Sequence, residues 1–327
     1  MRSSLKNRLQ KGVKQMVRFS YPFYRLFDLF RTEEEVRVLM YHKVSNLPPE
    51  EKVPYCNVTV EAFEAQMKYL SENKIEVLTL KGLGHWLRRE RLPGNRKKVV
   101  ITFDDGFQDN YLNAYPILKK YNIPATFFVI VDYIGRRAFF EHLQWDAPAL
   151  ADREKNPNQW FPMTWEMLNE MQENGMSIGS HTCSHRSLAG LSLREVNEEV
   201  SRSKKILEEG LRTEVAAFSY PFGSPVYGDF NPTTEEALKK AGYAVACTTA
   251  WGANRMGDNP YTLKRIPVSD HDTLFDFKCK IYGGSDWVEK CKSLWQRFVR
   301  REDKVDFTPM AGGTGDTMPD ERRPRAA

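Results

Sequence analysis

Short apolar runs alternate with longer amphipathic stretches along most of this chain, the signature of repeated strand–helix units. Val36–Tyr41 is a mostly apolar run of the kind that forms a strand buried on both faces. Residues 59–73 follow as a helix, with Thr59 placed to cap it and Phe63, Met67 and Leu70 as its apolar positions. The alternation then predicts a strand over Ile75–Leu80, a helix over Leu83–Arg89, a strand over Val99–Phe103, a helix over Tyr111–Tyr121 and a strand over Ala125–Val131. An aromatic, irregular stretch over 133–163 reads as an inserted loop. Beyond it come a helix over Thr164–Asn174, a strand over Ser177–Ser180, a long polar helix over Ser192–Gly210, a strand over Val215–Tyr220, a helix over Thr233–Ala241, a strand over Tyr243–Thr248 and an extended segment over 261–268. About seven strands in βα units with short links imply an α/β fold with a parallel sheet, and that number favours closure into a distorted (β/α) barrel over an open sheet.

The two ends break the pattern. Residues 1–35 carry Arg2, Lys6, Arg8, Lys11, Lys14 and Arg18, with Leu5, Leu9, Val13 and Val17 recurring every four residues and Phe19, Tyr21, Phe23, Phe27 and Phe30 after them. A basic helix with an aromatic-rich apolar face suits either a membrane interface or docking on the domain itself. From about Arg301 the chain is charged and rich in Gly and Pro, as disordered tails are. The expected organisation is therefore a basic amphipathic arm over 1–35, one domain over 36–300 and a disordered tail over 301–327.

Composition narrows the picture. Of 327 residues, 41% are hydrophobic, enough for a sizeable core, and a net charge of +5 is too mild for a dedicated nucleic-acid binder. No run approaches the roughly 18 apolar residues of a membrane span. The N-terminus lacks the apolar core of a secretory signal, so the expected location is cytoplasmic, peripheral on the inner membrane face through residues 1–31. The cysteines (Cys56, Cys183, Cys247, Cys279 and Cys291) are odd in number and form no CxxC pair, which argues against a disulfide framework or a zinc knuckle.

Chemistry gathers where strands end, the edge at which parallel α/β folds build their sites. In Thr102-Phe103-Asp104-Asp105-Gly106, adjacent carboxylates follow an apolar strand; in extended chain they point apart, so one can reach a metal while the other contacts a water. Gly106 permits the sharp turn this needs, although an Asp-Asp-Gly turn can also simply cap a helix. In His181-Thr182-Cys183-Ser184-His185, histidines at i and i+4 would share one face of a helical turn and bind one ion, with Cys183 pointing away. Two imidazoles and one carboxylate leave positions open for water and substrate. Tyr220-Pro221-Phe222-Gly223 can build a rigid wall whose backbone N–H groups face a developing oxyanion. His42, at the end of the first strand, is the right type of group for general acid work near neutral pH, although a lone His is often purely structural.

Taken in order, these segments resemble the polysaccharide deacetylase family (carbohydrate esterase family 4, the NodB homology domain), over about residues 36–285. Thr102–Gly106 matches its first motif, His181–His185 its His–Ser/Thr–x–x–His motif, and Tyr220–Gly223 the core of its third. The resemblance implies a distorted (β/α) barrel in which Asp105, His181 and His185 bind one divalent metal, usually Zn2+, with Co2+, Ni2+ or Mn2+ as alternatives. It implies Asp104 as general base and the backbone around Phe222, where the family usually has Tyr, as an oxyanion donor. Two departures stand out. Many members carry an Arg two residues before the third-motif Pro, paired with the base; here that position is Ser219, and Arg265 looks like a substitute from a neighbouring strand. The late Leu–x–His motif is missing. Members with circularly permuted motifs begin instead with a Met-Tyr-His strand, as in Met40-Tyr41-His42, which implies His42 as general acid with His271 as its competitor.

The implied activity is removal of N-acetyl groups from an amino-sugar polysaccharide or a lipid-linked glycan, with an N-acetylated glycan as partner. Trp145, Trp160, Trp165 and Trp251 are candidates for stacking on sugars, though tryptophans as often fill cores. An O-acetyl esterase or other C–N hydrolase on the same fold, an inactive glycan-binding barrel and a membrane-docking adaptor are the rival readings.

Overall fold

The structure, a computed structural model, describes residues 35–47, 57–88, 97–138, 140, 155–284 and 286. The expected arm except Glu35, the tail from Arg301, much of the 133–163 insertion with Trp145, and Cys56 and Cys291 lie outside the described residues.

The strand β5 (Lys98–Phe103) is the spine of the sheet. Along one edge it pairs in parallel with β1 (Glu35–Tyr41), from Val36↔Lys98 to Tyr41↔Phe103. Its other edge is shared. The short β4 (Glu76–Leu78) takes the first half, up to Leu78↔Val100, and β6 (Thr126–Val129) takes the end, at Thr102 and Phe103. The order continues in parallel through β7 (Ser177–Ser180), β8 (Ala217–Ser219) and β9 (Val245–Cys247). Leu263 then bridges to Cys247, and β11 (Arg265–Pro267), which follows at once, pairs with β1 at Val38, Leu39 and Met40. The segment 263–267 thus joins the last strand to the first and closes the ring. A two-residue strand, β10 (Asn254–Arg255), runs antiparallel to the start of β1, and β2 (Lys43–Val44) pairs with β3 (Asn57–Val58) beside the barrel. The predicted parallel barrel of seven main strands is the fold, distorted where β4 and β6 divide one edge of β5.

Period-two alternation sorts the strand side chains. Leu39, Tyr41, Ile101, Phe103, Phe127 and Phe218 pack outward with Phe63, Met67 and Leu70 of α1 (Val60–Glu72) and with Leu168 and Met171 of a later helix (Trp165–Glu173). Val36, Val38, Val100, Phe128 and Val245 turn the other way, onto Leu80, Leu83, Trp86 and Leu87 of α2 (Leu80–Leu87). That helix begins where the alternation predicted a strand end, because the Thr79 hydroxyl accepts from Gly82 N at 3.0 Å and caps it. The predicted caps Thr59 and Thr164 hold, each accepting from the backbone of its helix's first turn. The long polar helix begins as predicted at the Ser192 cap, but it is not uniform: Leu193–Asn197 and Ser203–Leu211 are α-helical, and a π turn, Glu198–Arg202, lies between them. The helix Leu274–Tyr282 was not expected.

One buried ion pair supports the upper rim of the barrel. Lys43 Nζ lies 2.9 Å from Asp109 Oδ2, and neither side chain is more than 1% exposed. The ammonium sits over the rings of Phe107 and Trp160 at 4.4 and 4.2 Å and donates to the Gln159 carbonyl. Ser45 Oγ and Asn110 Nδ2 donate to the Asp109 carboxylate, and Asn110 Nδ2 also reaches the His42 carbonyl at 2.7 Å. Removing one partner of such a pair strands the other charge in a dry site. Lys43→Met is expected to lower unfolding free energy by about 3–5 kcal/mol, read by denaturant titration, and Lys43→Met/Asp109→Leu to recover most of it. A loss within the roughly 0–1 kcal/mol of an exposed pair would show that the interaction is not desolvated.

Candidate active site

At the end of β5 the chain does two things in succession. Asp104 continues the ladder, its N–H donating to the Tyr41 carbonyl at 2.9 Å. Asp105 (φ 73°) and Gly106 (φ 79°) then both take the left-handed conformation. A Cβ at position 106 would stand 2.8 Å from Val129 Cγ1, so glycine is required there both for conformation and for space. The turn sends the two carboxylates to different partners, as expected, but by backbone reversal at Asp105 rather than by strand alternation alone.

Asp105 turns toward the histidines. Its Oδ1 lies 3.5 Å from His181 Nε2 and 3.4 Å from His185 Nε2, and the three ligand atoms lie within 4.8 Å of one another. All three residues are buried. His181 Nδ1 is 2.8 Å from the Ser219 carbonyl. A carbonyl only accepts, so that contact places the ring hydrogen on Nδ1 and leaves the Nε2 lone pair toward Asp105. Donors about 2.0–2.2 Å from one tetrahedral ion stand about 3.3–3.5 Å apart, the spacing of Asp105 from each histidine, so the residues fit a divalent metal.

The helical turn expected to unite the histidines is absent. Thr182 (φ 67°) and His185 (φ 64°) are left-handed, and 181–187 is an irregular loop. The loop is held locally: the Thr182 hydroxyl accepts from His185 N at 2.9 Å, and Glu199 accepts from the Cys183 and Ser184 N–H groups. The imidazoles meet edge to face, with centroids 4.8 Å apart. Cys183 is buried with its thiol against the Glu199 carbonyl at 3.7 Å, away from the three donors as expected.

Asp104 faces Arg265. Two bonds of 2.7 Å join the guanidinium to the two carboxylate oxygens, a bidentate fork with both side chains buried. Arg265 also donates to the Thr248 carbonyl at 2.8 Å and to Ser219 Oγ at 3.0 Å. The pairing expected of Arg265 is therefore present, with Ser219 beside it. Burial would raise the Asp104 carboxyl, but the Arg265 charge, with those of His181 and His42, outweighs it and holds the group below the ordinary carboxylate range. That dependence also puts His42 within electrostatic reach of Asp104. His42 follows Tyr41 and Asp104 follows Phe103, residues paired across β1 and β5. His271, its competitor, stands on the loop after β11 with its side chain 54% exposed and its ring 3.5 Å from Asp270.

The third motif divides. Tyr220, expected to face substrate, is fully buried with its ring stacked on Phe230 at 4.7 Å, because it continues the outward-packing face of β8; its side chain belongs to the core. Phe222 is 44% exposed, has φ 60° and packs its ring 5.0 Å from that of His185. A tight turn closes around it, Gly223 N donating to the Pro221 carbonyl at 2.6 Å. The described end of the insertion lies along the first motif: Gln108 N donates to Phe161 O at 2.7 Å and Met163 N to Gly106 O at 2.9 Å. Trp160 is buried under Lys43 and has no face free for a sugar, whereas Trp165 and Trp251 pack on the core while remaining partly exposed.

The polysaccharide deacetylase family's sequence profile matches residues 91–246. A Bacillus subtilis protein named for these deacetylases, YxkH, is 35% identical over 241 residues, covering 73% of this chain and 74% of its own. This chain belongs to the polysaccharide deacetylase family. A second family relative, the poly-beta-1,6-N-acetyl-D-glucosamine N-deacetylase of Staphylococcus aureus, is 28% identical over 214 residues, 65% of this chain and 68% of that one. Among solved structures, the Streptococcus pyogenes deacetylase PplD in complex with acetate superposes with a TM-score of 0.63 at 26% identity, covering 76% of this chain and 99% of that one.

Among the described residues of this deacetylase, the thiols are kept out of the chemistry. Burial pushes Cys247 up to about 12, and Cys183 and Cys279 are buried as well. Iodoacetamide at pH 8 is expected to leave all three unmodified in the native protein and to alkylate them after denaturation, as read by peptide mass mapping. Labelling of Cys183 at the denatured rate would contradict the loop geometry.

Proposed function

We propose that this chain hydrolyses the acetamide of an N-acetylated amino-sugar polymer or lipid-linked glycan, with one divalent metal held by Asp105, His181 and His185. The observation that carries this reading is the convergence of two imidazoles on one Asp105 oxygen while the adjacent Asp104 is clamped by Arg265. The donor set suits zinc, and would also accept Co2+, Ni2+ or Mn2+. The Staphylococcus aureus relative supports a polymer of β-linked N-acetylglucosamine as the substrate class.

When bound, the ion supplies Lewis acidity, making water a nucleophile near neutral pH and polarising a carbonyl. Asp104 takes a proton from the attacking water. Clamped by Arg265 it is a weak base, suited to a water already made acidic. The backbone turn at Phe222 donates to the oxygen that gains charge, an interaction worth roughly 3–4 kcal/mol for one well-placed donor. His42 gives a proton to the nitrogen as the C–N bond breaks, since an amine anion is a poor leaving group. Water adds across the acyl–nitrogen bond, giving acetate and a free amino sugar.

Asp105→Ala and His181→Ala are each expected to abolish metal content, by elemental analysis, together with acetate release. Asp104→Asn should keep the metal and lose turnover by about 10²–10⁴-fold; a near-native rate would overturn the base assignment. His42→Ala should fail on the N-acetyl sugar yet retain hydrolysis of an activated acetyl ester, whose leaving group needs no proton. Equal loss on both would exclude the leaving-group role. For the arm, the basic pattern with aromatic residues supports contact with an anionic membrane surface. Deleting residues 1–31 should release the protein from anionic-lipid vesicles in cosedimentation, and unchanged partitioning would remove that assignment.

A further inference from the structure

Four N–H groups, from Thr182 to His185, lie along the loop that separates the two histidines, and each has an acceptor. Thr182 N donates to Ser180 Oγ at 3.2 Å and His185 N to Thr182 Oγ1 at 2.9 Å. The two between them, on Cys183 and Ser184, both go to Glu199 Oε2, at 2.8 and 3.0 Å. Ser184 Oγ donates to the other oxygen of the same carboxylate. From the opposite side, Val131 N donates to Thr182 O at 3.1 Å and Asp132 N to Cys183 O at 3.0 Å. Glu199 is 8% exposed and stands in the π turn Glu198–Arg202 that interrupts the helix. Such turns recur at functional sites, because the extra residue redirects side chains that a regular helix would carry elsewhere.

We propose that Glu199 is a positioning residue of the metal site: its carboxylate is the mould on which the Thr182–Ser184 loop folds, and so sets where His181 and His185 present their nitrogens. The physical reason is the backbone cost. Thr182 and His185 carry side chains in the left-handed region, which is unfavourable for any residue with a Cβ, and the bond from His185 N to the Thr182 hydroxyl closes only part of the loop. A single acceptor facing the two successive N–H groups between them fixes the rest. Without Glu199 those groups would be buried without a partner or would turn toward solvent, carrying His185 away from Asp105. The proposal rests on the metal reading above and assigns the residue that tunes affinity.

The test uses the full chain, stripped of metal and titrated with Co2+, whose visible absorption reports coordination geometry. Glu199→Leu is expected to weaken Co2+ binding by about 10–100-fold, the range found for outer partners of metal ligands, and to alter the spectrum. Glu199→Gln keeps an oxygen for the two N–H groups and an amide for the Ser184 hydroxyl, and should bind nearly as the wild type does. Glu199→Asp, which folds if Glu199→Leu does not, retains the charge but retracts the acceptor, and should lose about as much affinity as Glu199→Leu. Co2+ affinity and spectrum unchanged in Glu199→Leu or Glu199→Asp would overturn the assignment while leaving the metal reading intact. A wild-type protein that takes up no Co2+ would overturn the metal reading, and this one with it.

Discussion

The fork between Arg265 and Asp104 is the interaction on which the rest of the site depends. Arg265 opens the strand that closes the barrel, and its side chain reaches elements that are distant in sequence: the carbonyl of Thr248 after β9, the hydroxyl of Ser219 at the end of β8, and Asp104 at the end of β5. Closure of the ring and neutralisation of the buried Asp104 charge are thus one event. An unpaired carboxylate at that depth would take up a proton instead, since burial pushes it that way. A protonated Asp104 could still accept a hydrogen bond from a water but could not take its proton. The barrel does more than carry the site, because its last strand keeps Asp104 ionised, the state that the proposed role as base requires.

Around that fork the backbone is bent against its preferences. Asp105, Thr182, His185 and Phe222 are left-handed without being glycine, whereas the other non-glycine examples, Lys74, Asn122 and Arg212, sit at helix C-termini, where that conformation is routine. Each bend is tied by hydrogen bonds to something rigid. Glu199 and the Thr182 hydroxyl hold the histidine loop, the Thr249 hydroxyl holds the Phe222 carbonyl, and Met163 N holds the Gly106 carbonyl next to Asp105. Strain that clusters in this way is stored where geometry matters for chemistry, and the hydrogen bonds are what keep it from relaxing.

Much of this was legible in the residues. Apolar runs such as Val99–Phe103 mark parallel strands because both faces are buried, and Thr59 and Thr164 mark helix starts because their hydroxyls replace missing backbone partners. Arg265 was legible through the family pattern, since Ser219 left a charge unaccounted for. What could not be read was set by tertiary contact. The His181–His185 spacing suits a helix, and contacts from outside the segment, with the Glu199 carboxylate taking two of its N–H groups and Val131 and Asp132 donating to its carbonyls, make it a loop. Lys43 looks like a surface residue until Asp109, Phe107 and Trp160 enclose it. The strands β2, β3 and β10 are two residues each, too short to carry a period.

Ser219 shows why a relocated arginine is compatible with an unchanged task. The position that many family members give to Arg carries here a side chain with one short hydroxyl, which accepts from Arg265 at 3.0 Å and lies 3.5 Å from Asp104. The guanidinium arrives from β11 and fills the space between Thr248, Ser219 and Asp104. A second arginine at 219 would bring a second cation against a single carboxylate in a buried site, leaving one positive charge without a partner. The small residue on β8 and the large one on β11 are therefore one substitution in physical terms. The charge that faces Asp104 is delivered here by β11, the strand that seals the barrel, and not from the Ser219 position at the end of β8.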